Sequence, residues 1–291
     1  MIKEFSNNNR LEGGKRIKDL CGKSILEGPV ISIVTPVFNN ENFLEGTILS
    51  VIHQTYKNIE YIIIDGGSTD GTIDIIKRYD RFLSYWISEP DNGIYDAQNK
   101  GINLSSGEYV AILNSDDWYF DNTVVERIAA TITNSNGIDF IYANANIIKN
   151  TGNVIKFNSS INNLKSFNSI PHPSLFLKRE IYLKLGGFNL RYKISADYDL
   201  IIRLYKKNCK CTKLDYTIVN IRQGGKSFRN QLTLKENFEI RKINKLTNSF
   251  ANYYKYLSAN LKYKLYYFIE MLFTIKCINH LRTIYYKKKI F

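Results

Sequence analysis

The chain has 291 residues, 44% hydrophobic and 23% charged, which supplies a full hydrophobic core and excludes a disordered or fibrous protein. The formal charge of +13 is regional, because residues 231–291 hold twelve Lys or Arg against three Glu. A basic stretch of this kind seeks phosphate-bearing partners, lipid or nucleic acid.

Residues 1–29 are polar and aperiodic and read as a loosely held lead. Residues 30–37 are a continuous apolar and β-branched run, the mark of a buried strand, closed by Asn39 and Asn40. A helix follows over 43–54, a strand over 60–65, and the turn Gly66-Gly67-Ser68-Thr69-Asp70-Gly71 opens an amphipathic helix over 72–79. Further strands are expected at 83–88 and 107–113, with a helix at 97–104 between them. Strands alternating with helices of this length indicate βαβ units and a mostly parallel sheet. Beyond Asp117 come a helix at 123–133 and strands at 140–148, 154–157 and 174–177. A helix from Arg179 stops at Gly186-Gly187, as helices do at glycine. A helix at 197–207 and a strand at 211–221 complete the pattern, and past Ser227 the composition turns to Lys, Asn, Tyr and Leu. The fold class is therefore α/β, with one domain over 30–227 and a basic, Tyr-rich helical tail over 228–291.

The four cysteines, Cys21, Cys209, Cys211 and Cys277, lack zinc-site or disulfide-framework spacing, which points to reduced thiols in a cytoplasm. No signal-peptide apolar region opens the chain. No uncharged apolar run reaches the roughly 18 residues that span a bilayer. The expectation is a cytoplasmic protein that at most lies on the inner face of the membrane.

Chemistry-bearing clusters fall where strands end. In an open α/β sheet these ends border the ligand crevice. The clusters are Thr35-Pro36-Val37-Phe38-Asn39, Asp65 to Asp70, the long segment from Glu89 to Gly101, and Ser115-Asp116-Asp117. Two adjacent acids repel unless a cation or several donors compensate them, which argues for a divalent metal carrying phosphates. The glycines fit neither G-x-G-x-x-G nor G-x-x-x-x-G-K-[ST], so a Rossmann dinucleotide site and a P-loop are excluded.

Together with Ala196-Asp197-Tyr198-Asp199-Leu200, these segments resemble the family 2 glycosyltransferases of GT-A fold, most closely bacterial members that build surface polysaccharides and lipid-linked glycans. The likeness covers residues 30–227. It implies a GT-A (Rossmann-like) sheet and an inverting, metal-dependent transfer from a nucleotide-diphosphate sugar, UDP by default, to a glycan hydroxyl. By that resemblance Thr35 and Phe38 line the nucleoside site, Phe38 stacking on the base, and Asp65 recognises base or ribose. Asp91 and Lys100 line the donor pocket, Asp116 contacts ribose, and Asp117 ligates the divalent ion, Mn or Mg. Asp197 is the general base, Arg222 a diphosphate contact, and His172 an acceptor-side candidate. Asp70 is read as a helix cap and Asp199 as a cap or a solvated residue.

The chain departs from the family pattern at Gly66, where a second acid is common, at Ala196, which replaces the first acid of a pair, and at Gly225, where some members carry a histidine. These losses keep open a nucleotide-sugar-binding module without activity. The charge keeps open a nucleic-acid-binding protein, although no nucleic-acid partner is expected. In the tail, Tyr253, Tyr256, Leu257, Leu261, Leu265, Phe268, Leu272 and Ile275 recur at helical spacing. That stripe suits an anionic membrane surface, packing against the catalytic domain, or a homodimer contact. The acceptor expected is lipid-linked or an oligosaccharide.

Overall fold

The computed structural model describes residues 3–4, 10–18, 27–135, 137–224, 231–246, 253–254, 256–258, 260–262 and 265. The chain divides into two units, Met1–Gly225 and Lys226–Phe291.

The first unit is built on a single sheet. Its strands are β1 (Lys3–Glu4), β2 (Leu11–Gly13), β3 (Ile31–Val37), β4 (Ile59–Asp65), β5 (Tyr85–Ser88), β6 (Tyr109–Ile112), β7 (Trp118–Tyr119), β8 (Phe140–Ile148), β9 (Val154–Phe157), β10 (Leu175–Lys178) and β11 (Cys211–Arg222). The helices are α1 (Leu44–Ile52), α2 (Thr72–Tyr79), α3 (Ile94–Leu104), α4 (Val124–Thr133), α5 (Arg179–Lys184) and α6 (Ala196–Lys206). Strand order is β1-β2-β5-β4-β3-β6-β10-β8-β11-β7, with β9 beside β8. Strands β5, β4, β3 and β6 run parallel, and β10 enters antiparallel between β6 and β8. The chain runs outward from β3 through β4 to β5, then returns to place β6 on the other side of β3. That reversal is the point where doubly wound sheets hold ligands.

Every residue of β3 is buried, which explains its unbroken apolar run. Alternate side chains serve opposite faces. Ile31, Ile33 and Val37 join Tyr61, Ile63, Tyr109 and Ala111 in one core with Leu44 and Ile48 of α1, Ile76 of α2 and Ile128 of α4. Val34 points the other way, toward α3, and a Cβ on Gly101 would lie 2.2 Å from its Cγ1. Helix α3 therefore rests on the sheet through a glycine.

The N-terminal lead is more structured than its composition suggests. β2 pairs antiparallel with β5 and β1 with β2, extending the sheet beyond its parallel strands. Arg16 and Lys18 form ion pairs with Glu60 and Asp80. A three-residue strand carries too little periodicity to be read locally, and its partners lie about seventy residues away by register. β7 is a second short strand that sequence pattern does not signal.

The second unit contains α7 (Gln231–Ile243). Helical residues follow, and the Phe238 ring meets those of Tyr253 and Tyr256 at 6.5 and 4.9 Å. Leu257, Leu261 and Leu265 are exposed. Phe268, Leu272 and Ile275 of the expected stripe lie outside the described residues. No helix among the described residues is long and apolar enough to cross a membrane.

Gly101→Ala tests the α3 packing. Alanine favours an isolated helix by about 1 kcal/mol, yet its methyl has no room beside Val34. We expect a net loss of about 1–3 kcal/mol in urea unfolding.

Candidate active site

Parallel β3, β4, β5 and β6 present their carboxyl ends at one edge, at Val37, Asp65, Ser88 and Ile112. Hydrogen bonds sew the loops leaving this edge together. Asn39 N–H donates to Ser68 Oγ at 2.7 Å, Thr69 N–H to Asn39 Oδ1 at 2.8 Å, and Asn40 Nδ2 to Ser115 Oγ at 2.7 Å. Asp70 accepts the N–H of Thr72, the first residue of α2, at 3.0 Å.

Phe38, just past β3, is 58% exposed and free to receive a flat ligand. Thr35 is not part of that surface. Its side chain is fully buried, with Oγ1 3.2 Å from the Tyr61 hydroxyl, because alternation along β3 turns it into the core. Asp65 likewise faces inward. Its Oδ2 accepts from Gly67 N at 3.0 Å, Ser68 N at 2.9 Å and Ser88 Oγ at 2.6 Å, while Oδ1 accepts from Ser68 Oγ. The carboxylate expected to read base or ribose is occupied in shaping the turn.

Asp91 is half-buried, with Oδ1 accepting Gly93 N–H at 2.8 Å. Lys100 ties its own segment together, lying 3.1 Å from Glu89 Oε1, 3.8 Å from Asp96 Oδ2 and 3.3 Å from Pro90 O. Its charge is compensated inside the loop that carries Asp91.

The acid pair divides in an unexpected way. Asp117 is 1% exposed; Oδ1 accepts Arg222 N–H at 3.1 Å and Oδ2 accepts Asn114 Nδ2–H at 2.9 Å. Its carbonyl accepts Thr47 Oγ1–H at 2.7 Å. Burial, then the neighbouring Asp116, pushes its carboxyl well above the usual range. Asp117, the expected metal ligand, is thus turned away as a buried strut between β7 and β11. Asp116 is less buried, and apart from its own backbone N–H no donor among the described residues engages its carboxylate. Burial raises its pKa too, with the Arg222 charge opposing the shift. The two acids sit in the turn that precedes β7, closed by Asp117 N–H donating to Asn114 O at 3.1 Å, and of the two Asp117 is the more deeply buried.

Arg222 ends β11, which β7 meets antiparallel. The Arg222 guanidinium lies 4.2 Å from the Phe43 ring centre and 5.3 Å from that of Trp118. Its Nε is buried without a hydrogen-bond partner, and no carboxylate among the described residues pairs with it. A fork held between two rings with unspent donors suits diphosphate oxygens.

Asp197 lies in the first turn of α6. Its Oδ2 accepts Asn168 Nδ2–H at 2.9 Å, and its Oδ1 lies 3.3 Å from the Tyr95 hydroxyl, whose single proton is shared with Ile194 O at 2.5 Å. Burial raises its pKa, and the Tyr198 backbone N–H, then Asn168 and Tyr95, act against the rise. Tyr95 belongs to the first turn of α3, beside the Asp91 loop, so Asp197 is tied to the same sheet edge. Asp199 is buried rather than solvated. It pairs with Arg203 at 2.8 Å, whose guanidinium also takes the carbonyls of Leu185 and Gly187 at 2.7 Å.

His172, the acceptor-side candidate, is shielded from solvent. It is buried, its ring meets Phe188 edge-on at 5.0 Å, and Phe188 stacks on Tyr95 at 5.4 Å. Burial lowers its pKa to about 3, and its Nε2 has no partner. Sequence reasoning missed Asn168, Tyr95, Asn114 and the rings flanking Arg222. Asn114 acts within its own turn on Asp117, three residues on, while the others act across long sequence separations that local pattern does not record. Gly225 lies outside the described residues.

Among the described residues, no group of three or more His, Cys, Asp or Glu is arranged to hold a metal. Asp116 offers a hard carboxylate with open coordination, which fits a divalent ion whose other ligands are phosphate oxygens.

The buried imidazole gives a pH signature. Between pH 7 and 5 the unfolded chain takes up a proton that folded His172 refuses. Stability from this group is therefore full above about pH 6.5 and falls by about 2 kcal/mol by pH 5. Urea midpoints for wild type and His172→Leu should differ in slope over that interval, the variant being flatter.

The glycosyl transferase family 2 model matches residues 32–194. A PGL/p-HBAD biosynthesis glycosyltransferase of Mycobacterium tuberculosis is 29% identical over 199 residues, covering 67% of this chain and 77% of the relative. An uncharacterized glycosyltransferase of the same species is 32% identical over 184 residues, covering 60% and 68%. The structure of S. aureus TarS 1–349 in complex with UDP superposes with a TM-score of 0.60 at 17% identity, covering 77% of this chain and 68% of that one. The mannosyltransferase PcManGT from Pyrobaculum calidifontis, in complex with GDP-Man and Mn2+, gives 0.58 at 15% identity, covering 80% and 74%. The sheet order, the crevice at its carboxyl edge and the matched residues converge: this chain belongs to glycosyl transferase family 2, on a GT-A-type fold.

Proposed function

We propose that the protein is an inverting glycosyltransferase that moves a sugar from a nucleotide-diphosphate donor to a hydroxyl of a glycan acceptor. The observation that carries this reading is Asp197, a partly desolvated carboxylate oriented by Asn168 and Tyr95 at the edge where the nucleotide would lie. The acceptor oxygen attacks the anomeric carbon and loses its proton to Asp197. The bond from that carbon to the diphosphate oxygen breaks, and the nucleoside diphosphate leaves with the electron pair. One displacement inverts the centre; retention by two displacements would need a positioned nucleophile.

Arg222 would hold the diphosphate, and Phe38 the base. A divalent ion, Mn or Mg, would be held by Asp116, not Asp117, and bound there it would neutralise charge gathering on the departing diphosphate. UDP remains the default donor nucleotide.

The raised Asp197 pKa makes it a stronger base and sets the acid limb of kcat/KM above the ordinary carboxylate range. Asp197→Asn should lower kcat by about 10²–10⁴-fold with nucleoside-diphosphate affinity unchanged. Asn168→Ala removes a donor that favours the charged form, so its acid limb should move to higher pH. Full activity in Asp197→Asn would reject the assignment and favour another base.

A membrane-borne acceptor is the second part of the proposal. It is supported by the exposed Leu257, Leu261 and Leu265 on a helical segment within a strongly basic unit. Wild type should sediment with vesicles containing phosphatidylserine, and the full-length triple variant Leu257→Glu, Leu261→Glu, Leu265→Glu should bind at least tenfold more weakly. Equal sedimentation would leave the stripe to packing or dimerisation.

A further inference from the structure

We propose that Asp91 supplies the acid missing at residue 66 and is the carboxylate that reads the nucleoside of the donor. The inference rests on the donor-site reading above. A Cβ built on Gly66 would lie 2.5 Å from Asp91 Oδ2 and 3.0 Å from its Cγ. The Asp91 carboxylate therefore occupies the space that a side chain at 66 would fill.

Conformation does not require glycine there. Gly67, next in sequence, has φ +83° and belongs to the left-handed region, but Gly66 does not. The obstacle to a side chain at 66 is Asp91 itself.

Position and state both suit recognition. Gly66 N–H donates to Val37 O at 2.9 Å, one residue before the exposed Phe38 ring, and Glu89 N–H donates to Asp65 O at 3.1 Å. Those bonds place Asp91 beside the base platform. Asp91 Oδ1 is tethered by Gly93, whereas Oδ2 has no donor among the described residues. The Lys100 contacts with Glu89 and Pro90 and the Asn92–Asp96 bond at 3.0 Å hold the loop that aims it. An acceptor-only oxygen so placed selects a hydrogen-bond donor, an N–H of the base or a ribose hydroxyl.

Calorimetry with UDP, GDP, CDP and dTDP tests the idea on the full chain, with thermal melts confirming that each variant folds. Asp91→Ala should weaken the best-bound nucleotide at least tenfold. Gly66→Asp alone should also weaken it, since two carboxylates cannot share one volume. The double variant Gly66→Asp, Asp91→Gly should recover to within about threefold of wild type, a compensation that a merely structural Asp91 would not produce. Asp91→Ala within twofold of wild type, or a double variant no better than Asp91→Ala, overturns the assignment while leaving the donor site standing. Wild type that binds none of the four nucleotides overturns both.

Discussion

Hydrogen-bond saturation at the carboxyl edge of the parallel strands governs how this molecule is organised. A carboxylate desolvated there is costly unless donors surround it. Asp65 meets that cost with donors from Gly67, Ser68 and Ser88, and Asp117 with Asn114 and the Arg222 backbone. These acids are spent on holding loops to the sheet. Asp91 and Asp116 keep unspent acceptor capacity, and at Asp197 the upward push of burial is opposed by the Tyr198 backbone N–H, Asn168 and Tyr95. The division follows from geometry: the saturated acids face the core, and the others lie on the outer side of the same turns.

The same rule applies to the cations. Arg203 and Lys100 are enclosed by carbonyls and carboxylates of their own neighbourhoods and serve as struts. Arg222 is flanked by rings instead, which restrict its orientation without satisfying its donors. An anion arriving at Arg222 meets a positive group whose ordering has already been achieved, which lowers the entropic cost of holding it.

Much of this was legible in the sequence because buried parallel strands write themselves as continuous apolar runs. The helix at 72–79 and the strands at 140–148 and 154–157 fall where the pattern puts them, and most other boundaries move by one to three residues. Motif order located the crevice for the same reason, since every cluster follows a strand. What pattern could not give was side-chain direction within a motif. Asp116 and Asp117 are indistinguishable in composition, and only the β7–β11 pairing decides which is buried. Thr35 sits in the right motif on the wrong face. His172 between two prolines looked positioned for a ligand, but its ring is buried against Phe188, which pattern around the prolines does not announce.

The departures from the family pattern then become rearrangements rather than losses. Ala196 is fully buried at the start of α6, where a second acid would sit desolvated next to Asp197 and push both carboxyls further up. With alanine there, Asp197 stands as the one acid of the pair, held by Asn168, and is the proton acceptor of the proposed reaction. Gly66 is empty because Asp91 enters from the neighbouring loop, so the acid is moved from one strand end to the next while the charge facing the nucleoside is kept. A module that only binds nucleotide has no use for a half-buried, oriented carboxylate at the start of α6. In the proposed reaction that carboxylate, partly desolvated and held by Asn168, is the group that takes the acceptor's proton.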